Sequence, residues 1–152
     1  LWRTEHEARR RTSDGRVWHR SGDVGHIDTQ GRLWIEGRSV HVIHADGNPI
    51  TPVPVEVAVE ALDGIAKVAA VGVGPAGCQQ LVVVVQDAQR PIGLADEVLI
   101  ERVRAAVPHA VAAVITVHTL PVDIRHNTKI DRTAVALWAS EILAGHRARC
   151  NW

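Results

Sequence analysis

Lys67-Val-Ala-Ala-Val-Gly-Val73, Gly74-Pro-Ala-Gly77 and Gln80-Leu-Val-Val-Val-Val-Gln86 decide the fold. Two β-branched runs flank a Gly/Pro turn, so the chain reverses here as a pair of strands. The second run carries four consecutive valines, which predicts a strand covered on both faces rather than one wetted on alternate residues. Gly72-x-Gly74-x-x-Gly77 also matches the dinucleotide fingerprint letter for letter. That fingerprint must open a helix, whereas here it leads into a strand, and Pro75 removes a donor N–H from the loop. It is read as a hairpin turn and gives no support for a nucleotide cradle.

Working outward, Thr51 can cap a helix with Pro52 at its first position, and Val55, Val59 and Leu62 recur at helical spacing until Asp63-Gly64. Downstream, residues 94–107 read as a helix with Asp96 and Glu97 in its first turn, where negative charge suits the dipole. Ala113-Val-Ile-Thr-Val-His118 is a third strand, and Asp131 caps a last helix through Leu143, closed by Gly145. The order predicts an α+β domain with a three-stranded sheet flanked by helices. Upstream, residues 16–19, 24–27 and 32–36 read as a short β-meander, too small to bury a core alone. Between the meander and the first helix, Val40-His-Val-Ile43 and the turn Ala45-Asp-Gly-Asn48 suit a hairpin.

Composition narrows the function. The formal charge is zero with His neutral, so no electrostatic footprint for nucleic acid is expected. Arg9-Arg-Arg11 reads as a solvated face. There is no Phe, Tyr or Met, so stacking platforms for single-stranded bases are poorly supplied. Cys78 and Cys150 lie far apart, which argues against a zinc site or disulfide framework and suits a reduced, cytoplasmic setting. No apolar run approaches the roughly 20 residues of a spanning helix, so no membrane span is expected.

Only two lysines stand against fifteen arginines, and one is Lys129, in Leu120-Pro-Val-Asp-Ile-Arg-His-Asn-Thr-Lys-Ile-Asp-Arg132. A compact ammonium on a flexible stem can follow charge developing on a carboxylate or phosphate, which a guanidinium fork does less well. In Arg20-Ser-Gly-Asp23 the glycine permits close backbone approach, and the carboxylate that follows suits a sugar diol. His41, His44 and Asp46, and His19, Asp23 and His26, have metal-ligand side chains. Alternation along a strand sends His41 and His44 to opposite faces, and no protein metal site is expected.

Residues 19–38 resemble the segment R-T-G-D-x-G-x-x-D-x-x-G-x-x-x-x-x-G-R of the adenylate-forming superfamily of acyl-CoA synthetases, peptide-synthetase adenylation domains and luciferases. Pro121 to Arg132 resembles that family's late lysine loop, P-x-x-x-x-G-K-x-x-R. The resemblance implies that residues 1–37 are terminal strands of a large N-terminal domain, 38–40 a hinge, 41–145 a small C-terminal lid domain and 146–152 a tail. It further implies an ATP- and Mg2+-dependent, AMP-producing ligase. In it Lys129 reaches the adenylate, Asp23 holds the ribose hydroxyls and Arg38 assists from the hinge strand. Mg2+ would be held mainly by the phosphates.

Three positions depart from the family pattern: Val40 at the hinge, where Asp or Lys is usual, Thr128 for the loop glycine, and Pro52-Val-Pro-Val-Glu56 for P-x-E-I-E. They point away from a thioester-forming conformation. The run around Lys129 resembles most the β-lactone synthetases of bacterial olefin biosynthesis. This implies activation of a long-chain 3-hydroxy fatty acid and closure by its own hydroxyl, where proximity replaces an external thiol. The partner expected is the missing N-terminal adenylate-forming domain, without which the chain should be inactive. The alternatives are the C-terminal domain of an acyl-CoA or fatty-acyl-AMP ligase, and, in a different class, a non-catalytic fragment or interaction module.

Overall fold

The computed structural model describes residues 9–45, 48–123, 129–146, 150 and 152. The strands are β1 (Arg9–Arg11), β2 (Val17–His19), β3 (Asp23–Ile27), β4 (Leu33–Arg38), β5 (Ile43–Ala45), β6 (Asn48–Ile50), β7 (Val68–Val73), β8 (Gln80–Gln86), β9 (Gly93–Leu94) and β10 (Val111–Val117). The α-helices are α1 (Pro52–Glu60), α2 (Glu97–Ala106) and α3 (Arg132–Leu143), and a 3-10 turn spans Ser39–His41.

The central sheet runs β7-β8-β10-β9. β7 and β8 pair antiparallel with Gly72 opposite Leu81, so Gly72-x-Gly74-x-x-Gly77 is a hairpin turn as expected. β8 and β10 are parallel, and α2 makes the crossover between them. Val82 to Val85 are all buried. Alternation then divides them: Leu81, Val83 and Val85 join Val55, Val59, Leu99 and Val103 of α1 and α2 on one face, and Val82 and Val84 join Val135, Trp138 and Ala139 of α3 on the other. The valine run thus lies between two helical layers. Fully burying each valine contributes on the order of 1.5–3 kcal/mol before entropy is counted.

Three expectations need correction. The sheet has four strands, because Gly93–Leu94 pairs antiparallel with Ile115 and Thr116. The Thr116 hydroxyl donates to the Pro91 carbonyl at 2.6 Å, which ties this short edge down. α2 consequently begins at Glu97 rather than Leu94, where the Asp96 side chain accepts from the Leu99 N–H at 2.9 Å. The upstream meander is two separate hairpins, β1-β2 and β3-β4, with Arg9–Arg11 recruited as the partner of Val17–His19. Finally, His41 belongs to the 3-10 turn and not to a strand, so strand alternation does not govern where it points. β5 and β6 pair as the expected hairpin, although Asp46 and Gly47 lie outside the described residues.

The β3-β4 hairpin is built on close approach. A Cβ at Gly25 would fall 2.2 Å from the Trp34 carbonyl oxygen, beside the register shift between Val24 and Gly25. At its turn, Asp28 accepts from the Gln30 and Arg32 N–H groups at 2.9 Å each, and from Arg32 Nε and Trp34 Nε1 at 2.7 and 2.9 Å. The Trp34 indole, then the Arg32 backbone and side chain, hold its carboxyl down at about 2. A depressed carboxylate contributes stability that is fully present above the ordinary carboxylate range and is lost as pH falls through the folded value. The hairpin should therefore keep its turn at pH 4 and lose it as pH falls toward about 2. An NMR titration of the Asp28 carboxyl checks this, and a midpoint near the ordinary carboxylate value would refute it.

Candidate functional site

Two positions separated in sequence, the end of β4 and the start of α3, converge beside β7. At the first, Arg38 stands opposite Asp23 in the β3-β4 register, with Arg38 Nε 3.4 Å from Asp23 Oδ1. The Ser39 N–H donates to the Gly22 carbonyl at 2.8 Å, which closes the same corner. Gly37 sits at φ 133°, and a Cβ there would lie 3.2 Å from Pro52 Cγ, so the chain leaves β4 through a conformation suited to glycine. The Thr51 hydroxyl donates to Glu36 Oε2 at 3.0 Å rather than capping α1. It secures the hairpin to the domain instead.

At the second position, the Asp123 N–H donates to the Lys129 carbonyl at 2.7 Å, Val122 bridges Ile130, and the Asp131 N–H donates to the Pro121 carbonyl at 3.0 Å. Lys129 is therefore held by its backbone while its side chain is exposed. Residues 124–128, including the Thr128 departure, lie outside the described residues. Asp131 accepts from the Thr133 and Ala134 N–H groups at 3.1 Å and caps α3 as expected. One residue on, Arg132 Nε donates to Glu56 Oε1 at 2.8 Å and its Nη2 reaches Glu56 Oε2. Glu56 is 6 % exposed, and its Oε1 also accepts from the Ala70 N–H at 3.0 Å. A buried carboxylate so satisfied locks the start of α3 to α1 and β7.

Arg38, Lys129, His41, Asp123 and Asp131 line one open cleft of about 560 Å3. Asp23 is not among its lining residues and is linked to it through Arg38. The cleft thus gathers Arg38 and Lys129, two of the three residues singled out from sequence, with the third one ion pair away. Two cations beside an exposed carboxylate can receive a phosphate-bearing ligand that also carries a diol. His41, whose side chain in the sequence suggests only a metal ligand, is half-buried on the cleft wall. Burial, and then the Arg132 and Arg38 guanidinium groups, hold its imidazole below the ordinary value. Among the described residues no group of three or more His, Cys, Asp or Glu could hold a metal ion, and no helix is long and apolar enough to cross a membrane.

No family model matches the chain. It is 41% identical over 128 residues to an olefin β-lactone synthetase of Stenotrophomonas maltophilia, covering 82% of this chain and 23% of that protein. An olefin β-lactone synthetase of Xanthomonas campestris pv. campestris is 40% identical over 140 residues, covering 88% and 25%. Among solved structures, ATP-bound MatB from Rhodopseudomonas palustris superposes with a TM-score of 0.68 at 23% identity, covering 87% of this chain and 26% of that one. A Mycobacterium tuberculosis fatty acyl CoA synthetase gives 0.59 at 22%, covering 89% and 26%. These structural likenesses speak to the fold, which is that of the small C-terminal domain of adenylate-forming enzymes. The chain spans about a quarter of the length of the relatives it matches.

Proposed function

The chain carries the C-terminal domain of an adenylate-forming, AMP-binding enzyme, and on that premise we propose that it is the lid of a ligase that activates a carboxylate with ATP. The substrate proposed is a long-chain 3-hydroxy fatty acid, whose own hydroxyl then closes a β-lactone. The observation that carries this reading is the cleft shared by Lys129 and Arg38, in a chain about 40% identical over most of its length to two olefin β-lactone synthetases.

In this reading residues 1–37 complete the large adenylate-binding domain, 38–40 form the hinge, and 41–145 close over the site. Asp23 accepts from the ribose hydroxyls and Arg38 keeps that carboxylate aimed. Lys129 extends its ammonium toward the α-phosphate as a carboxylate attacks it, where negative charge accumulates between two anions. The residues present suit such a ligand, since the cations line one cleft and Asp23 is exposed beside it. Mg2+ would be held mainly by the phosphates and would neutralise part of their charge. Val40, 69 % exposed at the hinge, offers no charge with which to fix a second, thioester-forming arrangement. Intramolecular attack has no need of one.

The uncovered surface of the first two hairpins supports a large neighbouring domain: Val17, Trp18, Ile27, Leu33, Trp34 and Ile35 are all exposed. The experiment is to give the full-length enzyme ATP and a 3-hydroxy fatty acid with and without coenzyme A. A β-lactone and AMP, formed in the absence of coenzyme A, are expected. A thioester that requires the thiol would instead make this the lid of an acyl-CoA ligase, the activity named for shorter matches such as an indoleacetate–CoA ligase of Aromatoleum aromaticum, 42% identical over 55 residues.

A further inference from the structure

The cleft contains a group for which carboxylate activation has no use. His41 lines it together with Arg38, Lys129, Asp123 and Asp131, and its ring makes no hydrogen bond to another described residue. The other groups suited to taking a proton are engaged. Asp131 caps α3, Asp23 faces Arg38, and Glu56 holds Arg132 and the Ala70 N–H. Asp123 also has a partner. An imidazole with no partner among the described residues presents a basic nitrogen to whatever occupies the cleft.

We propose that His41 is the proton acceptor for the substrate hydroxyl in ring closure, an assignment that rests on the lactone-forming reading above. The β-hydroxyl oxygen bonds to the acyl carbonyl carbon, the bond from that carbon to the AMP phosphate oxygen breaks, and AMP leaves with the electron pair. The hydroxyl proton passes to an imidazole nitrogen of His41, giving imidazolium. No oxidant or further reactant is needed. Burial first, and then the Arg132 and Arg38 charges, favour a ring that starts neutral, against a smaller opposite effect of Asp131 and Glu56. Lys129, from the same cleft, serves the preceding step, so one surface would handle the charge of activation and the proton of closure in turn.

The test uses the full-length enzyme with ATP and a 3-hydroxy fatty acid, reading first-turnover pyrophosphate release separately from lactone formation. In His41→Asn, pyrophosphate release is expected to stay within about threefold of wild type while lactone closure falls by about 100-fold, the range for loss of a general base. In His41→Ala, added imidazole should restore part of the closure rate, and the fall in closure toward low pH expected of wild type should be absent. Unchanged closure in His41→Asn would overturn the proposal, and so would pyrophosphate release and closure falling together in both variants without rescue. Those results leave the lactone reading standing as long as wild type makes lactone. Wild type that makes only a thioester overturns both.

Discussion

Lys129→Ala in the full-length enzyme is expected to lower acyl-adenylate formation by about 10²–10³-fold, the usual cost of removing one preorganised group from developing charge. The expectation follows from how the residue is held. Its backbone is fixed by the Asp123 N–H and the flanking Val122–Ile130 bridge, and its side chain is exposed beside Arg38 in the cleft. Truncation should therefore leave thermal stability nearly unchanged while removing the ammonium. Pyrophosphate release in a single turnover measures the effect, and a rate within a few-fold of wild type would rule out the role. Lys129→Arg should recover only part of the loss, since a planar fork cannot be re-aimed as a point charge can. Substrate affinity should change less than the rate, because the interaction strengthens mainly as the transition state forms.

The largest effect on folding is expected at Glu56. Glu56→Ala leaves the partly buried Arg132 guanidinium without its carboxylate and the buried Ala70 N–H without its acceptor. Breaking one side of a fully buried pair costs about 3–5 kcal/mol; with Arg132 partly open to the cleft a loss of about 2–4 kcal/mol is expected, which for a domain of this size lowers the thermal midpoint by roughly 6–15 °C. Glu56→Gln retains an oxygen for Ala70 and should lose distinctly less. Thermal unfolding followed by circular dichroism separates the two, and equal midpoints for Glu56→Ala and wild type would refute the account. Because Arg132 begins α3, the alanine variant should also slow adenylation by loosening the segment that carries Lys129.

These two residues differ sharply in how visible they were in the sequence. Lys129 stood out by rarity and by its place in a run that reads as a motif. The valine strand and the limits of α3 were equally legible, because Asp131 and Gly145 mark them by local chemistry. The glycine-rich segment is legible as a hairpin turn because Pro75 and the strand that follows it exclude a helix start. β9 escaped notice because two residues show no periodicity and owe their place to Thr116 across the sheet. The split of the upstream strands escaped too, since Arg9–Arg11 has no strand-like composition and pairs only because β2 offers it an edge. Arg132 and Glu56 stand in the sequence as members of two motifs, and nothing local to either names the other as its partner. Their contact crosses 76 positions, beyond the reach of any local pattern, though a carboxylate among Val53, Val55, Val57 and Val59 was a signal that something must meet it. His41 was legible as a residue and illegible as a site, because its value comes from sharing a cleft with Arg38 and Lys129.

The 76-residue separation of Glu56 from Arg132 also sets a schedule during synthesis. At about 5–20 residues per second, the carboxylate is made roughly 4–15 seconds before its guanidinium. Through that interval β7 and β8 can already exist, but the nascent domain cannot close around an unpaired charge, and the Lys129 segment has no seat. The lysine therefore takes its place beside Arg38 only when the whole sheet and α3 have been translated, so chains that terminate before Arg132 should lack this cleft and be more open to proteolysis.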